Sequence, residues 1–225
     1  SVIITYDEKG NELFKTYLSK TIAVDACVSP DNAEFAYAEV NNSGTTIQSN
    51  IKIISIKDVK EKNTEPKYEY NAVQGSLILR IKYQDKSRLI CMYDDSIHKF
   101  ETGVDVELTK LNEDNPKITF ADIELNNYVF RTYEKSTSLF SADTIIEMQN
   151  TSNGKENVYT IEEVAKSVVS NNNVIAVNLG NEVYFVETNA WLIKRYSSSQ
   201  VIEKIILGDG VAGIIYSDKI EIVNL

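Results

Sequence analysis

The sequence predicts an all-β fold of repeated four-stranded antiparallel blades, on three observations. The composition holds 26 Ile and 20 Val against 13 Leu and 12 Ala, with 13 Tyr and 15 Thr. Branched and aromatic side chains suit a pleated, half-buried backbone better than a helix. Five segments repeat one layout of apolar strand, short polar turn and second apolar strand, and such self-similarity marks a repeat architecture. The turns are made of Asn, Asp and Gly, which tolerate the positive φ that tight hairpins need.

Composition bounds the rest. The chain has 225 residues, 43% apolar and 25% charged, with a formal net charge of -10. A chain of this size hides roughly 70% of its unfolded surface, enough for a sizeable core. Its longest apolar runs, such as Ile205-Ile206-Leu207, fall far short of the roughly 20 residues of a membrane-spanning helix. The acidic balance, with Lys and Arg scattered singly, repels phosphate backbones and anionic surfaces, so nucleic acid is not an expected partner. The chain opens at Ser1 directly into Val2-Ile3-Ile4-Thr5-Tyr6. It reads as a piece of a longer protein, with room ahead of it for a leader or anchor.

Taken in order, Tyr6 to Tyr17 superposes without a gap on Phe185 to Tyr196, pairing Gly10 with Asn189, Leu13 with Leu192, Lys15 with Lys194 and Tyr17 with Tyr196. The opening hairpin is thereby read as the third and fourth strands of a blade. The first-to-second-strand turns follow at Ser29 to Asn32, Gln84 to Ser87, Asn126-Asn127, Ser170 to Asn173 and Gly208 to Gly210. Their centres Asp31, Asp85, Asn126, Asn172 and Asp209 are spaced 54, 41, 46 and 37 residues apart. Third strands follow further polar turns, at Ser96 to Phe100, Glu182 to Val186 and Lys219 to Val223. The expected layout is one propeller domain over 1-225. Its repeat units run 1-19 (partial), 20-72, 73-112, 113-163, 164-200 and 201-225 (partial), about five blades, the ring closed or open. Both partial units include a third strand, one too many for a single blade. Contact between the two ends is the favoured arrangement, because it removes exposed edges.

Two segments resist the pattern. Thr160-Ile161-Glu162-Glu163 fits a helix capping box, but the repeat claims Val168-Val169 for a strand, and the strand reading is preferred. The charged segment 59-66 ends in Pro66 and is expected to be a mobile excursion between strands. Cys27 and Cys91, each flanked by apolar neighbours, are expected to be free thiols at buried strand positions.

With four strands per repeat, the chain resembles β-propellers of the WD40-like and quinoprotein-like superfamilies over nearly its whole length. Ser29-Pro30-Asp31-Asn32 is similar to the S-P-D-G turn between the first two strands of such blades. Tyr6 to Ser19, Ser29 to Val40 and Lys219-Ile220-Glu221-Ile222 together resemble a family of bacterial propeller-like domains of unknown function. That family often follows an N-terminal membrane anchor, so the resemblance implies an extracytoplasmic or cell-surface location. Departures are equally informative. There is no Trp-Asp, Gly-His or Gly-Gly dipeptide and no sialidase-type Asp-box, and Trp191 is the only Trp, whereas a quinone-dependent propeller is expected to carry one in most blades.

No residue is assigned a catalytic, cofactor-binding or metal-binding role. His98 is the sole histidine, so a Ser-His-Asp triad has to pass through it; in Ser96-Ile97-His98-Lys99-Phe100 it reads as a strand residue facing away from the core. The two Cys, on different repeats, and the sole His lack zinc spacing. Asp94-Asp95, with Glu101 or Asp105 nearby, is the one paired carboxylate within a turn, yet a calcium loop wants alternating oxygen ligands around a Gly. Ser197-Ser198-Ser199 reads as a solvated turn between blades. No dinucleotide, nucleoside triphosphate or metalloprotease motif occurs. Tyr6, Tyr17, Tyr93, Tyr133, Tyr196 and Tyr216 recur at equivalent positions and are expected to pack within or between blades. The competing use of these rings and of Trp191 is stacking on sugars.

The resulting expectation is a non-enzymatic scaffold that displays loops to a protein or a surface polymer, with no cofactor. The alternative is a carboxylate-based hydrolase working in the central channel. An enzyme of that kind brings carboxylates from at least two blades into one pocket with opposed pKa values.

Overall fold

Alternating apolar and polar side chains, broken by turns of Asn, Asp and Gly, fold the chain into strands joined to their sequence neighbours. The computed structural model describes residues 1-111, 117-138 and 141-225. They form two compact units, Ser1–Lys110 and Leu111–Leu225. In the first, β1 (Val2–Tyr6) and β2 (Glu12–Tyr17) make a two-stranded sheet. One blade follows with β3 (Thr21–Val28), β4 (Glu34–Asn41), β5 (Ser49–Ser55) and β6 (Tyr68–Asn71). Helix α1 (Ile56–Lys60) lies between β5 and β6. A second blade holds β7 (Ile78–Tyr83), β8 (Arg88–Tyr93), β9 (Ser96–Glu101) and β10 (Val104–Lys110).

The second unit repeats this plan. Its blades are β11 (Ile118–Asp122), β12 (Tyr128–Ser136), β13 (Ala142–Asn150) and β14 (Glu156–Ile161), then β15 (Ser167–Asn171), β16 (Val174–Asn178), β17 (Glu182–Glu187) and β18 (Leu192–Ser197). A three-stranded sheet follows, of β19 (Lys204–Leu207), β20 (Val211–Ile215) and β21 (Ile220–Asn224). Every ladder within these sheets is antiparallel. No helix among the described residues is long and apolar enough to cross a membrane.

The second strands β4 and β16 are apolar on both faces because both faces are covered. On β4, Ala36 and Ala38 face a cluster with Ile81, Tyr83, Leu89, Cys91 and Phe100 of the next blade. The opposite face, Phe35 and Tyr37, packs with Phe14 and Leu18 of the opening hairpin and Val59 of α1. In the second unit, Ile175 and Val177 of β16 meet Phe130, Ile146 and Met148. Ala176, on its other face, lies with Phe185, Ile205, Ala212 and Ile214.

Polar side chains staple neighbouring first strands. Asp25 on β3 accepts the backbone N–H of Ile81 on β7 at 2.9 Å. Asp122 on β11 accepts from Ser170 Oγ on β15 at 2.9 Å. Asn171 of β15 donates to the Leu207 carbonyl of β19 at 3.1 Å.

Four expectations need correction or comment. The gapless superposition of Tyr6 to Tyr17 on Phe185 to Tyr196 is out of register by one residue. The turn bonds Asp7 N–H to Asn11 O and Gly10 N–H to Asp7 O recur as Glu187 N–H to Trp191 O and Ala190 N–H to Glu187 O. Val2 pairs Tyr17 as Glu182 pairs Ser197. Gly10 therefore corresponds to Ala190, and a one-residue slip exchanges the two faces of a strand. Segment 59-66 begins inside α1, where Val59 is buried and Ser55 caps the helix through the Asp58 N–H. The opening strands pair as the sheet β1–β2 and the closing ones as β19–β20–β21, each within its own unit; contact between the two ends stays an expectation. The expected unit boundary between 112 and 113 lies outside the described residues.

Candidate functional site

A cleft of about 400 Å³ opens in the first unit where three local structures meet. The first is the tip of the β1–β2 hairpin. Asp7 accepts from the backbone N–H groups of Lys9 and Asn11 at 2.9 and 2.8 Å and from the Asn11 amide at 2.8 Å. Those bonds, the Asn11 side chain foremost, hold the Asp7 carboxyl below its usual range.

The second is the Ser29-Pro30-Asp31-Asn32 turn. Buried Ser29 donates its hydroxyl to Asp31 at 2.7 Å and accepts from Glu34 N–H at 3.0 Å, while Asp31 accepts from Ala33 N–H at 3.1 Å. Asn32 adopts φ 55, the left-handed conformation that Asn tolerates and the turn needs. The Ser29 hydroxyl is the leading cause that lowers the Asp31 carboxyl pKa. Helix α1 is the third, contributing Ile56 and Lys60.

Leu13, Val28, Phe35 and Ile56 form the apolar floor, and Phe35 is backed by Phe14 edge-on with ring centroids 5.0 Å apart. Glu8, Lys9 and Lys60 stand exposed on the rim beside Tyr6, which is 58% exposed. The volume falls in the range of small-ligand sites, roughly 300–1,000 Å³. Such a cleft takes an apolar group flanked by charges of either sign.

The residues weighed for chemistry lie elsewhere. His98 does not face away from the core: its side chain is 17% exposed, and its ring meets buried Tyr93 edge-on at 4.9 Å. Nδ1 lies 2.7 Å from Asp105 Oδ1, and Nε2 lies 3.1 Å from Ser96 Oγ. The three side chains thus line up in triad order. Ser96, however, is buried and donates its hydroxyl proton to Asp95 Oδ1 at 2.8 Å, so that proton is not aimed at the imidazole as an activated nucleophile's would be. The chain of bonds ties β9 to β10 and to the Asp94-Asp95 turn.

Both turn carboxylates have structural partners. Asp94 accepts from the Leu77 N–H at 2.8 Å, and Asp95 from Ser76 Oγ at 3.2 Å. Among the described residues no three His, Cys, Asp or Glu side chains gather as metal ligands would. Ser197 bonds Glu182, and Ser198 accepts from the Gln200 N–H. Both thiols are free; Cys91 is buried and Cys27 partly so. Burial pushes the Cys27 thiol up to about 12 and raises Cys91 as well.

Tyrosine packing divides. Tyr93 and Tyr216 are buried, and Tyr196 is half-buried with its hydroxyl on Tyr216 at 2.6 Å and on Glu221. Tyr6, Tyr17 and Trp191 are exposed, the last two at 72% each, so packing does not account for them. Sequence reasoning missed the cleft floor, Leu13, Phe35 and Ile56. Their apolar character was visible, but residues so far apart in sequence converge only through tertiary packing.

Against known proteins, a family model described as a family of unknown function (DUF5711) matches residues 1–225. No curated protein matches the chain. Among solved structures it is similar to a prolyl endopeptidase, with TM-score 0.60 and 15% identity, covering 97% of this chain and 34% of that one. The chain therefore spans about a third of the endopeptidase. It is also similar to BBS1N in complex with ARL6DN, with TM-score 0.56 and 14% identity, covering 99% and 71%. For the C-terminal WD40 domain of Sif2 the TM-score is 0.52 at 10% identity, covering 100% and 75%. At such identities the likeness shows the fold alone: this is a β-propeller-like domain built of four-stranded blades.

Proposed function

Because the chain belongs to a family of unknown function, DUF5711, its role has to be argued from its geometry, and we propose a binding scaffold that docks a protein or a surface polymer, outside the cytoplasmic membrane. The observation that carries this reading is the cleft beneath Tyr6. Its floor of Leu13, Val28, Phe35 and Ile56 has a charged rim carried on hydrogen-bonded turns. A pre-formed apolar floor with a polar rim is the anatomy of a docking site, and rigid turns lower the entropy cost of occupying it. Similarity to BBS1N, seen in complex with ARL6DN, supports this use of the fold. The hydrolase alternative gains no support from the first-strand carboxylates, since Asp25 and Asp122 each hold a neighbouring strand. The extracytoplasmic location rests on the resemblance to anchored propeller domains.

The test is photo-crosslinking in the native host. A benzophenone amino acid at position 6, on the cleft rim, is compared with one at position 17, exposed on the same hairpin but not lining the cleft. Adducts from position 6 alone, lost in Leu13→Asp, are expected; equal adducts from both, or none, defeat the proposal. Protease accessibility of the tagged full-length protein in intact cells tests the location, and complete protection sinks it.

A further inference from the structure

We propose that the β17–β18 hairpin tip is a second binding site, a stacking platform for a neutral glycan centred on Trp191. Packing explains most of the aromatic side chains, but Trp191 is 72% exposed. Its backbone is nevertheless held firmly. Glu187 N–H donates to the Trp191 carbonyl at 2.8 Å, and Trp191 N–H donates to Asn189 Oδ1 at 3.0 Å.

The preceding residue strengthens the argument. Ala190 has φ 66, a left-handed conformation that costs a residue with a Cβ and persists only where surroundings impose it. Gly10 fills the corresponding position of the opening hairpin at φ 81. The Ala190 methyl packs against the cluster of Phe130, Ile146 and Ile175, and Asn157 of β14 donates to the Thr188 carbonyl at 2.8 Å. The tip is thus anchored to its own blade and to the one before it.

The chemistry of the turn selects the ligand. Asn189 donates to Glu187 Oε2 at 3.0 Å and accepts from the Trp191 backbone N–H, which fixes a carboxamide and a carboxylate on the same turn as Trp191. A sugar offers an apolar C–H face for an aromatic plane and hydroxyls for such a carboxylate and amide. An amphipathic ring with fixed polar neighbours matches both. The formal charge of -10 disfavours anionic polymers and leaves neutral glycans.

Trp191 is the only tryptophan, so its emission reports this site alone. The intact chain is titrated with chitotetraose, cellotetraose and maltotetraose, reading tryptophan fluorescence and, in parallel, calorimetry. A saturable blue shift with at least one sugar at millimolar concentration is expected, with calorimetric affinity falling at least about tenfold in Trp191→Ala. Glu187→Gln weakens binding by a smaller factor. Circular dichroism confirms that both variants fold. No saturable change with any sugar overturns the proposal, as does binding that Trp191→Ala retains. A blue shift on neutral phosphatidylcholine vesicles but not on the sugars overturns it in favour of a lipid surface. The cleft beneath Tyr6 is read out separately, by crosslinking, so either proposal can fail alone.

Discussion

Asp25 Oδ2 accepts the backbone N–H of Ile81, 56 residues further along the chain, at 2.9 Å. This carboxylate joins the first strands of consecutive blades, and Ile81 is itself buried. Removing the acceptor leaves a shielded N–H without a partner, which costs about 1–3 kcal/mol. Asp25→Ala is therefore expected to lose about that much in urea unfolding, and Asp25→Asn less, since its amide oxygen still accepts. Equal stability in all three proteins means the bond is not a staple.

The opening hairpin is held by side-chain packing on the blade that follows. Phe14 is buried against Phe35, with Leu18 and Val59 nearby. Phe14→Ala is expected to cost about 3–5 kcal/mol, the usual range for emptying a large aromatic site. A loss under about 1 kcal/mol indicates a hairpin that barely contributes to the fold.

The thiols make a pH prediction. Burial raises Cys27 from 9.0 to about 12 and raises Cys91 too. A folded-state pKa above the unfolded one means that the native state holds its proton more tightly. That contribution to stability is fully present below pH 9.0 and is lost as pH rises towards about 12. Cys27→Ala should therefore shrink the loss of stability between about pH 9 and about pH 10.5. In the native state a bulky thiol reagent should modify Cys27 slowly and Cys91 more slowly still, with both complete in denaturant. Rapid native labelling of Cys91 contradicts the packing described.

His98 separates structural from catalytic use of one geometry. As a strut between Asp105 and Ser96, it should cost about 1–3 kcal/mol when replaced by Ala, through the two lost bonds and their unpaired partners. A fluorophosphonate probe should leave Ser96 unmodified. Labelling of Ser96 that disappears in His98→Ala shows instead that the three residues work as a nucleophilic triad.

Strand order and hairpin positions were legible in the sequence because they are local properties. Apolar alternation sets the strands, and residues such as Asn32, Asn127 and Asn172, all with positive φ, mark the turns between them. Helix α1 was not legible, since five residues are too few to show a helical period. Alignment by side-chain identity also misled, matching Tyr17 to Tyr196 where the ladders match it to Ser197. Identity scores do not register the bulges at Thr5/Tyr6 and Phe185/Val186, which set which face each residue occupies.

The sequence by itself determined an all-β chain of repeated antiparallel blades, because composition, periodicity and turn chemistry act over a few residues at a time. Tertiary structure alone decided which side chains are left over once the blades have packed. Leu13 and Tyr17 lie four residues apart on β2, an even spacing, yet Leu13 is half-buried and Tyr17 exposed. Tyr6 at the end of β1, Asn32 in a turn and Ile56 in α1 line one cleft. Side-chain exposure depends on what the neighbouring sheet covers, and that neighbour lies tens of residues away, beyond the reach of any local pattern.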